Sequence, residues 1–231
     1  MGVRLSFVLG IAAVCCASVS GAGAGGTAGA SKGAWRALLE MSSASAWRGW
    51  AAPGLPAGWR VVNGVLQKQG EAGDLITNES FANFELELEW KLSKGGNSGL
   101  FYRGTHDYDH IYWSAPEYQL LDDANEPDGK DRKTAAASAY ALYPARPGVV
   151  LPHDHWNKTR LVVNGAHVEH WLNGQKLVEY ELLSADWRSR VAASKFAAFP
   201  HYGLAKQGFL GIQGDHEGRL AIRNIRFREL R

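Results

Sequence analysis

The chain has 231 residues, with 25 Lys and Arg against 23 Asp and Glu and a formal net charge of +2. Binding to nucleic acid takes clustered basic residues, so this balance of charges gives no case for a nucleic-acid partner. The 9 Trp, 8 Tyr and 8 Phe suit the core of a β-sandwich, and a few of them suit stacking on the C–H faces of sugar rings.

The N-terminal segment has the layout of a secretory signal. A single positive charge at Arg4 precedes the mostly apolar residues 5–19, and small residues follow up to Ala24. The apolar run is too short for a membrane span. We therefore expect a signal peptide over residues 1–24 and an exported protein, periplasmic or extracellular. Both cysteines, Cys15 and Cys16, lie in this run, so the mature chain would hold no disulfide.

The next segment, residues 25–45, is predicted to be a flexible leader with a short helix. Its first part is rich in Gly and Ala, a composition typical of flexible segments. Residues 34–41, AWRALLEM, favour a short helix. The sequence thus places one folded domain at residues 46–231.

Turn signals and alternation then predict antiparallel strands. Residues 60–67 hold an Asn63-Gly64 turn between apolar pairs, which is a hairpin signature. Residues 84–92, FELELEWKL, alternate apolar and charged side chains, as a half-buried strand does.

The C-terminal half repeats these signals. Asn164-Gly165 and Asn173-Gly174 separate three strand-like runs, which predicts a three-strand meander. The remaining elements are two closing strands, residues 209–213 and 219–227, and a short helix within residues 184–195. Short strands joined by tight turns, without alternating helices, indicate an all-β sandwich of two sheets.

Two neighbouring segments, GGNSGLFYRG and PEYQLLDD, carry polar residues suited to a hydroxyl-rich ligand. The candidates are Asn97, Arg103, Glu117, Gln119 and Asp122. In a strand, Glu117 and Gln119 face one way while Tyr118 faces the other. With Tyr118 in the core, Glu117 and Gln119 would line the outer, concave face, and Asp122 would act from the strand end, where holding a loop is the alternative role. The structural alternatives are a solvent-facing strand position for Glu117, a surface ion pair for Arg103 and a turn position for Asn97.

These segments are followed in order by AASAY, HWNKTRLVVNG, VEHWLNGQKLVEYEL, SKF, GFLGIQGDHEG and IRNIRF. The ordered series, over about residues 47–230, resembles the 3-keto-disaccharide hydrolase domain family. The resemblance implies a concanavalin A-like, jelly-roll β-sandwich of two antiparallel sheets with one or two short helices. It also implies an exported bacterial enzyme that cleaves glycosidic bonds in sugars oxidised at carbon 3. The family usually reads LQDHG where this chain has IQGDHEG.

The implied reaction sets what the site needs. A ketone at carbon 3 acidifies the hydrogen on carbon 2, so a base can remove it and the glycosidic oxygen can leave from carbon 1, after which water adds. Such a site needs a base, a donor for the enolate oxygen and an acid for the leaving group, and not the opposed carboxylates of an ordinary glycosidase. The expected base is Glu117 or His216, and the expected cations are Arg103 and Lys195. The expected substrate contacts are Asn97, Gln119, Asp122, Trp113, Tyr140, Gln213 and Asp215.

The sequence also gives expectations for cofactors and partners. No His/Glu cluster has zinc spacing, although the acidic residues 122–131 could hold calcium through oxygen ligands, so a divalent metal is left open. The expected partners are an oligosaccharide or glycoside substrate and, upstream, a sugar 3-dehydrogenase that makes the ketone. Two other functions fit the sequence, a non-catalytic carbohydrate-binding module of lectin-like fold and a structural or adhesive envelope domain.

Overall fold

The computed structural model describes residues 1–2 and 33–230, which form 13 strands, one α-helix and three 3-10 turns. The strands are β1 (Arg36–Ala37), β2 (Trp47–Gly49), β3 (Trp59–Val62), β4 (Val65–Gln69), β5 (Leu75–Phe81), β6 (Phe84–Leu92), β7 (Asn97–Gly104), β8 (Glu117–Leu121), β9 (Asn157–Asn164), β10 (His167–Leu172), β11 (Gln175–Glu181), β12 (Gly208–Ile212) and β13 (Arg219–Glu229). Helix α1 spans Ala185–Ala192, and the 3-10 turns span Ile111–Trp113, Pro127–Lys130 and Lys195–Ala198.

The predicted signal peptide, after its first two residues, and the leader up to residue 32 lie outside the described residues. Within the described ranges, none of the helical segments has the length and apolar character needed to cross a bilayer.

Two antiparallel sheets pack face to face. The larger has the order β11-β10-β9-β6-β13-β4-β3, with β1 paired to β13, and the smaller has the order β2-β5-β12-β7-β8. Large buried side chains from both inner faces fill the space between them, among them Trp90, Leu161, Phe227, Tyr102, Tyr118 and Leu210. The predicted all-β jelly-roll sandwich is confirmed.

The predicted turns and alternation form this framework. Asn63 and Gly64 both have positive φ, 50° and 73°, as the tight hairpin between β3 and β4 requires. Along β6 the apolar side chains enter the core, while Glu87 on the other face pairs with Arg226 of β13. The predicted three-strand meander is formed by β9, β10 and β11. The predicted second helix is α1. Ser184 Oγ caps its first turn by accepting a hydrogen bond from the Trp187 N–H at 3.1 Å.

The helix predicted for residues 34–41 is wrong, because this segment joins the larger sheet. Arg36 and Ala37 pair with the end of β13, and the Leu38 N–H donates to the Ile225 carbonyl at 2.9 Å. Leu38 is buried in the main core. A helix of eight residues is marginal by itself, so strand pairing and burial of Leu38 override the helical propensity of the segment.

Buried hydrogen bonds of Tyr118 fix which side chains of β8 point into the core. The Tyr118 hydroxyl crosses to the larger sheet, where it donates to the Trp171 carbonyl at 3.1 Å and accepts from Thr159 Oγ1 at 3.0 Å. Because strand side chains alternate, this anchor turns Glu117 and Gln119 to the outer face of the smaller sheet.

Part of that outer face carries a small apolar core of its own. Ile111, from the loop after β7, packs with Phe101 and Ile76. Two glycines, Gly104 and Gly211, allow this close approach, since a Cβ on either would lie 2.6 Å from Ile111 Cδ1. The loop thus covers one end of the face and leaves Glu117 and Gln119 at the bottom of a depression.

Candidate active site

The floor of the site is built from the paired strands β7 and β8. Glu117 lies opposite Phe101, and Gln119 lies opposite Gly99. The Glu117 carboxyl reaches over Gly99, where an added Cβ would lie only 2.1 Å from Glu117 Oε1. Glycine at this position therefore makes the room that the carboxyl occupies.

Loops from four distant parts of the sequence enclose a pocket of about 180 Å³ above this floor. Tyr112 and Trp113 form one wall, and Tyr140 forms another. Lys195 follows helix α1, and His216 follows β12. The pocket is small, polar and partly aromatic, which is the composition expected of a site for a single sugar ring.

Burial dominates the electrostatics of Glu117, whose exposed fraction is 6%. Loss of solvation raises its pKa from 4.5 to about 8; the Lys195 ammonium opposes this rise, and the carboxylates of Asp215, Asp74 and Asp128 add to it. No hydrogen bond from another described residue holds the Glu117 carboxyl. A carboxyl that titrates near neutral pH can both accept and return a proton.

Lys195 stands beside the ring of Tyr140. Its Nζ lies 4.5 Å from the ring centroid, a cation–π distance. The Tyr140 hydroxyl donates to Asp128 Oδ2 at 3.3 Å, and burial, with Asp128 and Glu117 nearby, raises the pKa of Tyr140 above its ordinary value. Tyr140 is therefore a hydrogen-bond donor in the working pH range, and it keeps the lysine at the pocket.

Gln119 offers the pocket an acceptor with no partner. Its Nε2 donates to Asn97 Oδ1 at 3.4 Å, and Asn97 Nδ2 donates to Glu126 Oε1 at 3.4 Å. Gln119 Oε1 is buried and has no hydrogen-bond partner among the described residues. Buried polar atoms are normally satisfied, so this oxygen is suited to accept from a ligand hydroxyl.

The rim is partly aromatic and partly ionic. Trp113 stacks on Phe199 with ring centroids 4.1 Å apart and an interplanar angle of 13°. His216 Nε2 lies 3.9 Å from Asp215 Oδ1, and their side chains are 44% and 38% exposed. The Gln213 N–H donates to the Gly99 carbonyl at 2.9 Å, which fastens the chain before His216 to β7.

Arg103 lies away from this pocket, so the structure does not bring this predicted catalytic cation together with Glu117. Its φ of 55° interrupts the alternation that would have placed it beside Glu117. The guanidinium instead donates to the Ala82 carbonyl at 2.8 and 3.0 Å and to the Gly165 carbonyl at 2.8 Å. It therefore ties together two turns, the one between β5 and β6 and the one between β9 and β10.

Asp122 is also absent from the pocket, so the structure does not bring it together with the other predicted substrate contacts. Its Oδ2 accepts from the Gly95 N–H at 2.9 Å and from Asn125 Nδ2 at 2.8 Å. These hydrogen bonds occupy the carboxylate at the end of β8, where it holds the turn before β7 and the loop after β8 together. This is the loop-holding alternative that the sequence left open.

The other nine candidates meet in the pocket: Asn97, Trp113, Glu117, Gln119, Tyr140, Lys195, Gln213, Asp215 and His216. Sequence reasoning missed three lining residues, Tyr112, Asp128 and Phe196. Tyr112 lies in the long segment between β7 and β8, Asp128 lies in the one between β8 and β9, and Phe196 lies in the SKF motif, but no spacing distinguishes them from their neighbours.

Among the described residues, one group has the spacing of metal ligands: His167, Glu169 and Glu179 on β10 and β11. Lys176 Nζ lies 3.2 Å from Glu169 Oε1 and 2.9 Å from Glu179 Oε2, so an ammonium already neutralises these carboxylates. The group belongs to the larger sheet and does not line the pocket. A divalent metal at the pocket remains a prediction.

A two-sheet jelly roll with a buried carboxyl in a polar and aromatic pocket on its smaller sheet has the architecture of a carbohydrate-active protein, and the family and the relatives of the chain show that it is an enzyme of the glycoside hydrolase type. Residues 34–228 match the family described as the 3-keto-alpha-glucoside-1,2-lyase-like domain. The chain belongs to this family.

Named relatives agree with this assignment. A protein of Bacteroides thetaiotaomicron, named 3-keto-disaccharide hydrolase, is 38% identical in a 225-residue alignment that covers 84% of this chain and 77% of that protein. The crystal structure of a candidate glycosyl hydrolase from Parabacteroides distasonis aligns with a TM-score of 0.79 and 30% identity, covering 85% of this chain and 94% of the other. The catalytic domain of a laminarinase from Thermotoga petrophila, at 13% identity and a TM-score of 0.51, covers 86% of this chain and 98% of its own and shares the fold alone.

Proposed function

We propose that this protein cleaves the glycosidic bond of 3-keto-glycosides, including 3-keto-disaccharides, by base-assisted elimination followed by hydration. The observation that carries the proposal is the Glu117 carboxyl, buried in a sugar-sized pocket, with its pKa raised to about 8. Membership of the family supports it, as does the name of the B. thetaiotaomicron relative.

Glu117 is the base in this proposal. With a ketone at carbon 3, the hydrogen on carbon 2 is acidic, and the Glu117 carboxylate takes it as a proton. The electron pair of the C–H bond forms a carbon 2–carbon 3 double bond, and the negative charge moves to the oxygen on carbon 3. The raised pKa makes the ionised carboxylate a stronger base than an exposed one.

Lys195 stabilises the charge that develops on the enolate oxygen. Its ammonium lines the same pocket and already opposes the pKa rise of Glu117. A cation held beside the reacting atoms stabilises a developing anion there. With Arg103 committed to two turns, Lys195 is the remaining predicted cation for this role.

His216 protonates the leaving group. As the ketone re-forms, a carbon 1–carbon 2 double bond forms, the bond from carbon 1 to the glycosidic oxygen breaks, and that oxygen takes a proton. His216 is on the exposed rim, where a leaving group would exit, whereas Glu117 is on the floor. Water then adds its hydroxyl to carbon 1 and a proton to carbon 2. The sequence left the base open between Glu117 and His216, and burial of the carboxyl favours Glu117.

The cellular setting is part of the proposal. The secretory layout of residues 1–24 supports export, to the periplasm or beyond. The exported domain would consist of residues 46–231 and, in addition, the β1 segment that precedes them. Because the substrate must arrive already oxidised at carbon 3, a sugar 3-dehydrogenase must act before this enzyme.

The test follows release of the leaving group from 3-keto-glucosides of both anomers, with and without added divalent metal. We expect release by the native protein, no release from the unoxidised glucosides, and a loss of at least ~100-fold in kcat for Glu117→Gln, the scale of losing a general base. Glu40→Gln, a change at an exposed position of the same residue type, is the matched control.

Substrate deuterated at carbon 2 distinguishes elimination from direct displacement. Elimination predicts a primary isotope effect on kcat or exchange of the carbon 2 hydrogen with solvent. Equal cleavage of oxidised and unoxidised glucosides, or full activity of Glu117→Gln, would contradict the proposal.

A further inference from the structure

A second and larger hollow adjoins the candidate active site. It has a volume of about 550 Å³ and lies between the segment after β2 and the turn before β5. Its walls include Trp50, Pro56, Asp74, Asp109 and His110. We call this hollow the outer groove.

The outer groove and the pocket are neighbours. Asp215 lines both. His110 of the groove stacks on Tyr112 of the pocket, with ring centroids 4.8 Å apart and an interplanar angle of 13°. The two cavities therefore share one carboxylate and are joined by one pair of stacked rings.

Size separates the roles of the two cavities. Pockets that enclose drug-sized ligands hold about 300–1,000 Å³, whereas the pocket at Glu117 holds about 180 Å³ and the groove about 550 Å³. The pocket has room for one sugar ring. The second ring of a disaccharide has to lie outside it, and the groove is the adjoining space large enough to take that ring.

The groove also has the chemistry of a sugar subsite. The Trp50 indole is fixed, since its Nε1–H donates to the Asp109 carbonyl at 2.6 Å and its ring lies 4.2 Å from that of His106. An oriented, half-buried indole provides a flat face for the C–H groups of a sugar. Carboxylates accept strong hydrogen bonds from hydroxyl groups, and Asp74 and Asp215 place them at the groove.

The charge of the groove selects the class of leaving group. Its carboxylates belong to Glu71, Asp74, Asp109 and Asp215, and the sole basic side chain in its walls within the described chain is His110. Such a surface favours a neutral, hydroxyl-rich leaving group and repels a carboxylated or phosphorylated one.

We propose that the outer groove is the subsite for the leaving sugar, where Trp50 and His110 select a neutral monosaccharide at the carbon 1 oxygen. This inference rests on the proposed function, because it concerns the other half of the same substrate. In this inference the groove determines which leaving group binds, and the glycosidic bond is cleaved in the pocket.

The test compares kcat/KM for two substrates, a 3-keto-glucosyl-glucose disaccharide and methyl 3-keto-glucoside. For Trp50→Ala and for His110→Ala, we expect the ratio of disaccharide to methyl glycoside to fall ~10-fold, the scale of one aromatic contact. His110 is exposed, so its variant carries the test even if Trp50→Ala does not fold. His155→Ala, at an exposed histidine before β9, is the control and should keep the native ratio.

A third substrate, with glucuronate as the leaving sugar, tests the charge argument, and its kcat/KM should be lower than that of the glucose disaccharide. Turnover with an unchanged ratio in both variants would overturn the subsite and leave the proposed function standing. No turnover of either neutral substrate by the native protein would overturn the proposed function and the subsite together.

Discussion

Replacing Glu117 by glutamine is expected to stabilise the protein in alkaline solution even though it removes the proposed base. In the folded state, burial raises the pKa of Glu117 from 4.5 to about 8. Below the lower value the carboxyl is neutral in both states and has no effect on stability through its charge. As the pH rises from 4.5 toward 8, the unfolded chain ionises first, so the folded state loses stability.

The size of the effect follows from the shift. Each pKa unit corresponds to about 1.36 kcal/mol, so the full shift lowers the free energy of unfolding by about 5 kcal/mol at high pH. Between about pH 5 and about pH 9, the native protein should lose about 4 kcal/mol relative to Glu117→Gln, whose amide does not titrate. For a chain of this size, that is roughly 8–16 °C in Tm.

The assay is urea denaturation of both proteins at the two pH values, with the free energy of unfolding taken by linear extrapolation. Glu40→Gln, at an exposed carboxyl, keeps Glu117 and should lose as much free energy of unfolding between the two pH values as the native protein does. The reasoning is refuted if Glu117→Gln is destabilised equally at both pH values, because that result would mean that Glu117 is ionised in the folded protein and held there by Lys195.

Three further changes test other parts of the site. Gly99→Ala places a methyl where the Glu117 carboxyl lies, and kcat/KM should fall by ~100-fold, the scale of misplacing a reacting group by about 1 Å, without loss of the folded circular dichroism spectrum. Lys195→Met removes the charge that opposes the pKa rise of Glu117, so the ascending limb of the pH profile of kcat/KM should move to higher pH; a shift to lower pH would contradict this. Arg103→Ala removes hydrogen bonds to two turns, and the free energy of unfolding should drop by about 2–4 kcal/mol while kcat of the folded fraction stays native.

Local signals in the sequence predicted most of the sandwich. The Asn-Gly turns and the alternation of residues 84–92 depend on the backbone and on neighbouring side chains, so they can be recognised in one segment. The prediction of a helix at residues 34–41 was wrong because the structure of this segment depends on a distant part of the chain. Its partner strand, β13, is nearly 190 residues away in the chain, and no local propensity reports a contact at that separation.

The candidate site was predictable where it depends on alternation. Tyr118 could be assigned to the core from its place in the strand, and Glu117 and Gln119 then had to face outward. Alternation failed at Arg103, because a residue with positive φ leaves the strand pattern. Asp122 was misplaced because two local hydrogen-bond donors, Gly95 and Asn125, already bind its carboxyl.

The chemistry of Glu117 depends on a feature that lies outside its own segment. Burial raises its pKa, and residues of distant segments modify the rise: Asp128, 11 positions away in the sequence, adds to it, and Lys195, 78 positions away, opposes it. Strand β8 sets only the direction in which the Glu117 side chain points, while the loops bury its carboxyl group and place charged groups near it. A change in one of these loops can therefore alter the strength of the base without touching β8.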